Sequence, residues 1–398
     1  MSLDRQPRAF FSSAIAALAA TALVAACSRG PDRPQNAPPR PVASTSDGEA
    51  ARPTQPSSVI HAAIDAATAA VAEDASAPSP GAASDDAGAV TEAGAPGAEP
   101  AAVAGATGAT SFLGVDERVI LRRLCDGEVT RMQRNTGGST LSFRVWFADG
   151  GRGLFKPQQS NSVANFRAEI AAYRMSRYLG LHRAPPACGR SIPRSMLQRT
   201  ADATGDVAFS ERVMREILGR GESVPGAMIY WVPGGLENVP GTERYPDLLD
   251  TTKPIPDADR VLARDLSALL LFDFVNDNID RWSGGNILRQ RTTPQNPTPQ
   301  MLFMDNGAAF TIGRDNLGAR PADQAQRLAH VTRVSRSLVG RLRAMNADSL
   351  GREMRLDPLG SPVGDNGLAA ILARRDRLVQ HVDALVAARG EAAVYAFE

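Results

Sequence analysis

Hydrophobic and polar positions along this chain follow three regimes. A small-residue apolar stretch, "FFSSAIAALAATALVAA" at 10–26, follows the head "MSLDRQPR", which carries more positive than negative charge. That stretch has the length of a secretory h-region and falls short of the ~20 residues a membrane-spanning helix needs. From Ser28 to about Thr110 the pattern dissolves into Ala, Pro, Gly, Ser, Asp and Glu. Only "SVIHAAIDAATAAVAED" there has helical spacing, with His61 a bystander. Such a segment cannot bury enough apolar surface to offset the entropy of ordering. As a coil tether it would reach on the order of 50 Å. From Ser111 to Glu398 regular periods return, and with them the expectation of a folded core.

Within that part, residues 127–158 read as three strands: "TLSFRVWF" alternates, Gly137-Gly138 and "ADGG" mark turns, and the third strand ends at Lys156. A helix is expected over about Val163–Leu179, stopped by Gly180 and then Pro185-Pro186. Phe166, Ile170 and Tyr173 form its apolar stripe, and Glu169 shares it. An acid there is either paired with a cation or metal, or reaches solvent from the flank. "SVPGAMIYWVPGG" at 223–235 reads as a short apolar strand that either crosses the core or connects two lobes. In the second case Tyr230 and Trp231 would offer backbone groups to a planar ligand. "ADRVLARDLSALLLFDFVNDN" is helical with Asp273 close to its apolar face, and breaks near Asn276. Strand-like "NIL" and a buried-strand candidate, Met301–Met304, follow, and two amphipathic helices close the chain from residue 323 onward.

Net charge is +1 over 398 residues, so nothing favours nucleic acid as a partner. Lysine occurs only at 156 and 253, among 44 basic residues. A chain that uses arginine nearly everywhere has kept a compact ammonium at a buried strand end, where phosphate contact suits it better than a guanidinium. Cys125 and Cys188 either pair in an oxidising compartment or stay as two buried thiols.

The polar residues cluster in an order that matters. Lys156 ends a strand, Glu169 sits on the next helix, Asp280 and Asn286 flank a loop, and Asp305-Asn306-Gly307 turns directly after a strand. This is the order of a protein kinase, in which lysine holds the α/β-phosphates and pairs with the helix acid. The loop aspartate takes the proton of an attacking hydroxyl. Asparagine and the second aspartate present oxygens to Mg²⁺ or Mn²⁺, hard cations that prefer them.

"GGRGLFKP", "FRAEIAAYRMSRYLGLHRAPPACGR", "LLLFDFVNDNIDRW" and "FMDNGAAF" together resemble the atypical secretory-pathway kinases of the Four-jointed and Golgi casein kinase group, over roughly residues 127–315. The resemblance implies an α+β, two-lobed kinase-like fold: a β-rich N-lobe (111–235) and a helical C-lobe (236–398). It makes Lys156 the phosphate lysine, Glu169 its partner near the metal, Asp280 the catalytic base and Asp305 the metal aspartate. Trp282 stands where many members carry His, and Asn286 falls six residues after Asp280 instead of five.

"VAAC" at 24–27 resembles a bacterial lipobox, which would lipidate Cys27, and Ser28 after it leans toward the outer membrane; a plain secretory signal is the alternative. The combined expectation is an ATP- and metal-dependent phosphotransferase in the cell envelope, tethered by a lipid and acting on a protein or glycan hydroxyl. A nucleotide- or partner-binding pseudokinase and an AMP-transferring enzyme on the same fold are the alternatives.

Overall fold

The structure is a computed structural model that describes residues 110–310 and 320–398, apart from Ser162, Arg220, Gln295 and Thr298, with side chains from 323 onward in the second stretch. The expected signal segment, lipid-bearing Cys27, the short helix near 60 and the linker up to 109 lie outside the described residues.

A small hairpin, β1 (Ser111–Phe112) and β2 (Val115–Asp116), leads into helix α1 (Glu117–Asp126), capped by the Asp116 carboxylate. β3 (Val129–Arg134), β4 (Phe143–Phe147) and β5 (Arg152–Pro157) form an antiparallel meander. After helix α2 (Phe166–Tyr178) come β6 (Ala187–Pro193), α3 (Arg194–Asp202), α4 (Val207–Glu216) and β7 (Ser223–Tyr230). The five strands make one sheet in the order β3-β4-β5-β7-β6.

Alternation along β4 and β5 gives this sheet two different faces. Phe143, Val145, Phe147 and Phe155 point to one side and pack with Ile120 and Leu124 of α1, Leu197 of α3 and Phe209 of α4. On the other side Phe166, Ile170 and Tyr173 of α2 pack on Ala187, Ala227 and Ile229, with Leu154 beside them. The expected three-residue apolar stripe is therefore the packing face of α2. Gly180 (φ 61°) ends this helix, its N–H bonded to Arg177 O while Leu181 N–H reaches Ser176 O.

β8 (Leu236–Asn238) leads to α5 (Arg260–Asn276), and β9 (Leu288–Gln290) and β10 (Met301–Leu302) complete a three-stranded sheet, β10-β9-β8. α5 is buried on nearly every side, as a central helix must be. Leu266, Leu269 and Leu270 share its core with Ile371, Leu378 and Val382 of the long helix α9 (Asp365–Arg389), which follows α6 (Arg320–Ala329), α7 (Arg336–Ala344) and α8 (Ala347–Met354). The architecture is the expected α+β fold: a sheet-rich part with one key helix, then a helical part.

Two sequence expectations change. The amphipathic run from 323 to 345 is two helices, not one. At the break the Thr332 hydroxyl and Arg333 guanidinium donate to Leu249 O and Leu248 O, and Ser335 caps the second helix. The strand expected over Met301–Met304 is only two residues long, because Phe303 N–H leaves the sheet to donate to Arg183 O. Cys125 and Cys188 form a disulfide (S–S 2.06 Å) tying α1 to β6, which resolves the alternative left open by composition.

Candidate active site

β5 turns Arg152, Leu154 and Lys156 toward the face that carries α2, opposite Phe155. Lys156 Nζ lies 2.6 Å from Glu169 Oε1 and 2.8 Å from Asp305 Oδ1. One ammonium thus joins three segments that are 13 and 149 residues away in sequence. The second oxygen of Glu169 accepts the Asn306 backbone N–H at 3.1 Å. The helix acid is therefore clamped between the strand lysine and the Asp-Asn-Gly turn.

Local geometry fixes that turn against the start of α2. Asn165 caps the helix through its side chain, and its own N–H donates to Gly307 O at 3.0 Å. A Cβ at Gly307 would come within 2.8 Å of Val163 O, so only glycine lets the two segments approach so closely. Asp305 takes a left-handed φ of 52°, which aspartate tolerates better than most residues.

Charge distribution follows burial. The side chains of Lys156 and Glu169 are 12% and 5% exposed, while that of Asp305 is 52% exposed. Burial opposes the charge on Lys156, but Asp305 and Glu169 outweigh it and hold the ammonium pKa above its usual value. The Lys156 ammonium in turn lowers the Asp305 pKa against burial, with Arg281 adding to the effect. The cluster is an anion–cation–anion arrangement with its half-open carboxylate toward solvent.

The loop after α5 is held as firmly. Asp277 adopts a left-handed C-cap (φ 54°, ψ 48°) and Asn278 N–H donates to Asp273 O. The Asp280 N–H donates to Asn278 Oδ1 at 3.1 Å, and Asp280 O accepts from Asn286 Nδ2 (3.0 Å) and the Ser283 hydroxyl (2.8 Å). Arg281, whose side chain is 0% exposed, pairs with equally buried Asp273 at 3.0 Å. It donates to Asn306 Oδ1 at 2.8 Å and to the carbonyls of Asn286 and Met304. Asp305 thus lies between two residues gripped by the guanidinium that directly follows Asp280. Burial pushes the Asp273 carboxyl pKa up, only partly opposed by Arg281.

The structure therefore brings Lys156, Glu169 and Asp305 into direct contact, and joins Asp280 to Asn286. Trp231 is half-buried beneath the Arg144 guanidinium, 5.3 Å from its ring centre. Tyr230 points the other way: its ring is core, edge-on to Phe112 at 5.9 Å. The residues to which the sequence assigned no role are Asp273, Arg281 and Asn306, the strut linking the two aspartate-bearing segments. Their only signal was an acid beside an apolar helix face and an arginine after Asp280.

Among the described residues no three His, Cys, Asp or Glu side chains converge as a self-sufficient metal site. Asp305 and Glu169 offer carboxylate oxygens, the donors Mg²⁺ and Mn²⁺ accept. Two such ligands suit a cation that takes its remaining partners from phosphates and water.

No protein-family model matches the sequence. Solved structures do resemble the chain. The Golgi casein kinase aligns at 17% identity and TM-score 0.56, over 69% of this chain and 76% of that one. The same kinase with Mn/ADP bound aligns at 17% identity and TM-score 0.56, over 70% and 78%. Hydra Fam20 with sugar aligns at 19% identity and TM-score 0.56, over 72% and 93%. These likenesses place the chain in the kinase-like fold.

Proposed function

We propose that the protein is an ATP- and divalent-metal-dependent phosphotransferase that moves the γ-phosphate to a hydroxyl of a protein or glycan in the cell envelope. One observation carries this reading: a nearly buried ammonium bridging a helix acid and a turn aspartate drawn from three distant segments. Lys156 would hold phosphate oxygens, oriented by Glu169. Asp280, on a loop fixed by three side chains, would accept the proton of the attacking hydroxyl. Asp305 would hold the cation with Glu169, and Asn286, whose amide donates to Asp280 O, would add its side-chain oxygen. That cation would neutralise charge on the phosphates, and positioning together with charge stabilisation supplies most catalysis of this kind. Trp231, which follows β7 and lies beneath the Arg144 guanidinium, would border the base.

The Mn/ADP-bound neighbour supports nucleotide and Mn²⁺ as ligands. Placement outside the cytoplasm rests on the lipobox-like "VAAC", and the Cys125–Cys188 disulfide supports it, since such bonds persist in oxidising compartments.

The test is transfer of labelled phosphate from ATP to protein and glycan pools by the wild-type chain, Lys156→Met, Asp280→Ala and Asp305→Ala. Activity in the wild type, lost in all three variants, is expected. Equal activity in all four refutes the assignment. Nucleotide binding without transfer would make the chain a binding module, and AMP found on the acceptor by mass spectrometry would make it an AMP transferase.

A further inference from the structure

A cavity of about 390 Å³ opens between the β1–β2 hairpin, the turn after α2 and the segment joining β9 to β10. None of its lining residues belongs to the lysine–carboxylate cluster. Its size falls within the roughly 300–1,000 Å³ range of small-molecule pockets, but its lining is predominantly polar where such pockets are usually apolar.

Three observations set this cavity apart. First, His182 lines it with a left-handed backbone (φ 49°), whereas the left-handed Leu113 (φ 52°) beside it, with Gly114 (φ 81°), is what the two-residue β1–β2 hairpin turn requires. Strained backbone of this sort gathers at active sites and ligand clamps. Second, the His182 ring is aimed. Its Nδ1 lies 2.8 Å from Glu117 Oε1, and Tyr173 Oη donates to the other oxygen of that carboxylate at 3.1 Å. Glu117 is 2% exposed; burial works against its charge, but bonds from His182 and Tyr173 hold its pKa below the ordinary value. An ionised carboxylate only accepts, so Nδ1 carries the proton and Nε2 is the nitrogen left for the cavity. Third, the remaining polar wall is uncharged: the Gln290 amide is held by Pro233 O (3.3 Å) and Asn296 Nδ2 (3.4 Å), so Asn296 Oδ1, the Gln300 amide and the Ser111 hydroxyl are the groups it offers.

We infer that this cavity is a binding site for a neutral carbohydrate, separate from the phosphotransfer centre. Hydroxyl groups donate and accept at once, which matches a wall of amides, a hydroxyl and an oriented imidazole. A formally charged ligand would meet no Asp, Glu, Lys or Arg side chain on that wall. An extended peptide would need apolar pockets for its side chains, and Leu113 is the lone apolar side chain here. Glu117 acts through His182 and is a positioning residue.

The site stands independently of the proposed activity. The full chain is titrated by calorimetry with glucose, galactose, N-acetylglucosamine and lactose, and in parallel with Mn²⁺–ADP. At least one sugar should bind the wild type. Gln300→Ala, which removes an amide that makes no side-chain hydrogen bond among the described residues, should weaken it roughly tenfold, about 1.4 kcal/mol. His182→Gln should weaken it further, and Mn²⁺–ADP affinity should be the same in all three proteins. No sugar binding to a wild type with an intact thermal transition overturns the inference. So does sugar binding that survives both substitutions, or that is lost in Asp305→Ala and so belongs to the phosphotransfer cleft. Binding of an uncharged blocked tripeptide in place of every sugar overturns it as well. Failure of Mn²⁺–ADP alone to bind would count against the phosphotransferase and leave the carbohydrate site standing.

Discussion

The Asp273–Arg281 pair allows stability and positioning to be measured apart. Both side chains are essentially solvent-free, and the Asp273 carboxyl is pushed up by burial more than Arg281 brings it down. Its desolvation is thus not fully repaid by its partner. Removing one member of such a pair costs roughly 3–5 kcal/mol, because the other charge stays buried alone, whereas replacing both with apolar residues is neutral or stabilising by about 1–4 kcal/mol. Asp273→Leu should therefore destabilise the protein by about 3–5 kcal/mol; at roughly 2–4 °C per kcal/mol, the thermal midpoint falls by about 6–20 °C. Asp273→Leu combined with Arg281→Met should recover part of that loss, the remainder being the acceptors that Arg281 also serves. The double variant should nevertheless have impaired phosphate transfer, since Arg281 also grips Asn306 and the carbonyls of Asn286 and Met304 beside the two candidate aspartates. Scanning calorimetry and a transfer assay on the three proteins decide it. A single variant within about 1 kcal/mol of wild type, or a stable double variant with full activity, refutes the reasoning.

Other consequences follow from the same contacts. Replacing Cys125 and Cys188 by Ala, which opens a link spanning 63 residues, should cost about 4 kcal/mol from loop-closure entropy, read from denaturant unfolding. Gly307→Ala should raise the Kd for Mn²⁺–ADP, because the added Cβ meets Val163 O at 2.8 Å and separates the turn from α2. The Asp305 pKa is depressed in the folded protein chiefly by Lys156, so its share of stability is present above the ordinary aspartate range and lost as pH falls below about 3.9. Lys156→Met should flatten that acid limb in a plot of unfolding free energy against pH. Chelation with EDTA should stop transfer, and added Mn²⁺ or Mg²⁺ should restore it.

Residues with one dominant local determinant were legible in the sequence. Alternation in "FRVWF" and the turn glycines locate β4 and β5, and the Phe166–Ile170–Tyr173 stripe locates α2. Glu169 on that stripe read as either a paired buried acid or a flank acid reaching solvent, and Lys156 against it decides for the first. What stayed hidden depends on long-range pairing. α1, α3 and α4 are amphipathic but short, each burying only two or three side chains, and what those faces and β6 pack against is set by a sheet that only the whole fold positions. Arg281 reads as a loop arginine until Asp273, Asn306 and Met304 are brought around it. Glu117 reads as an ordinary helix-start acid, although Tyr173 and His182, 56 and 65 residues away, occupy both its oxygens.

The central claim is that the Lys156–Glu169–Asp305 cluster binds a nucleotide through a divalent cation. Its most direct test is calorimetric titration of ADP into the wild type and Asp305→Ala, each with and without Mn²⁺. Mn²⁺ should tighten ADP binding to the wild type, and that gain should vanish in Asp305→Ala. ADP affinity that is indifferent to Mn²⁺ in the wild type, or enhanced equally in both proteins, would contradict it.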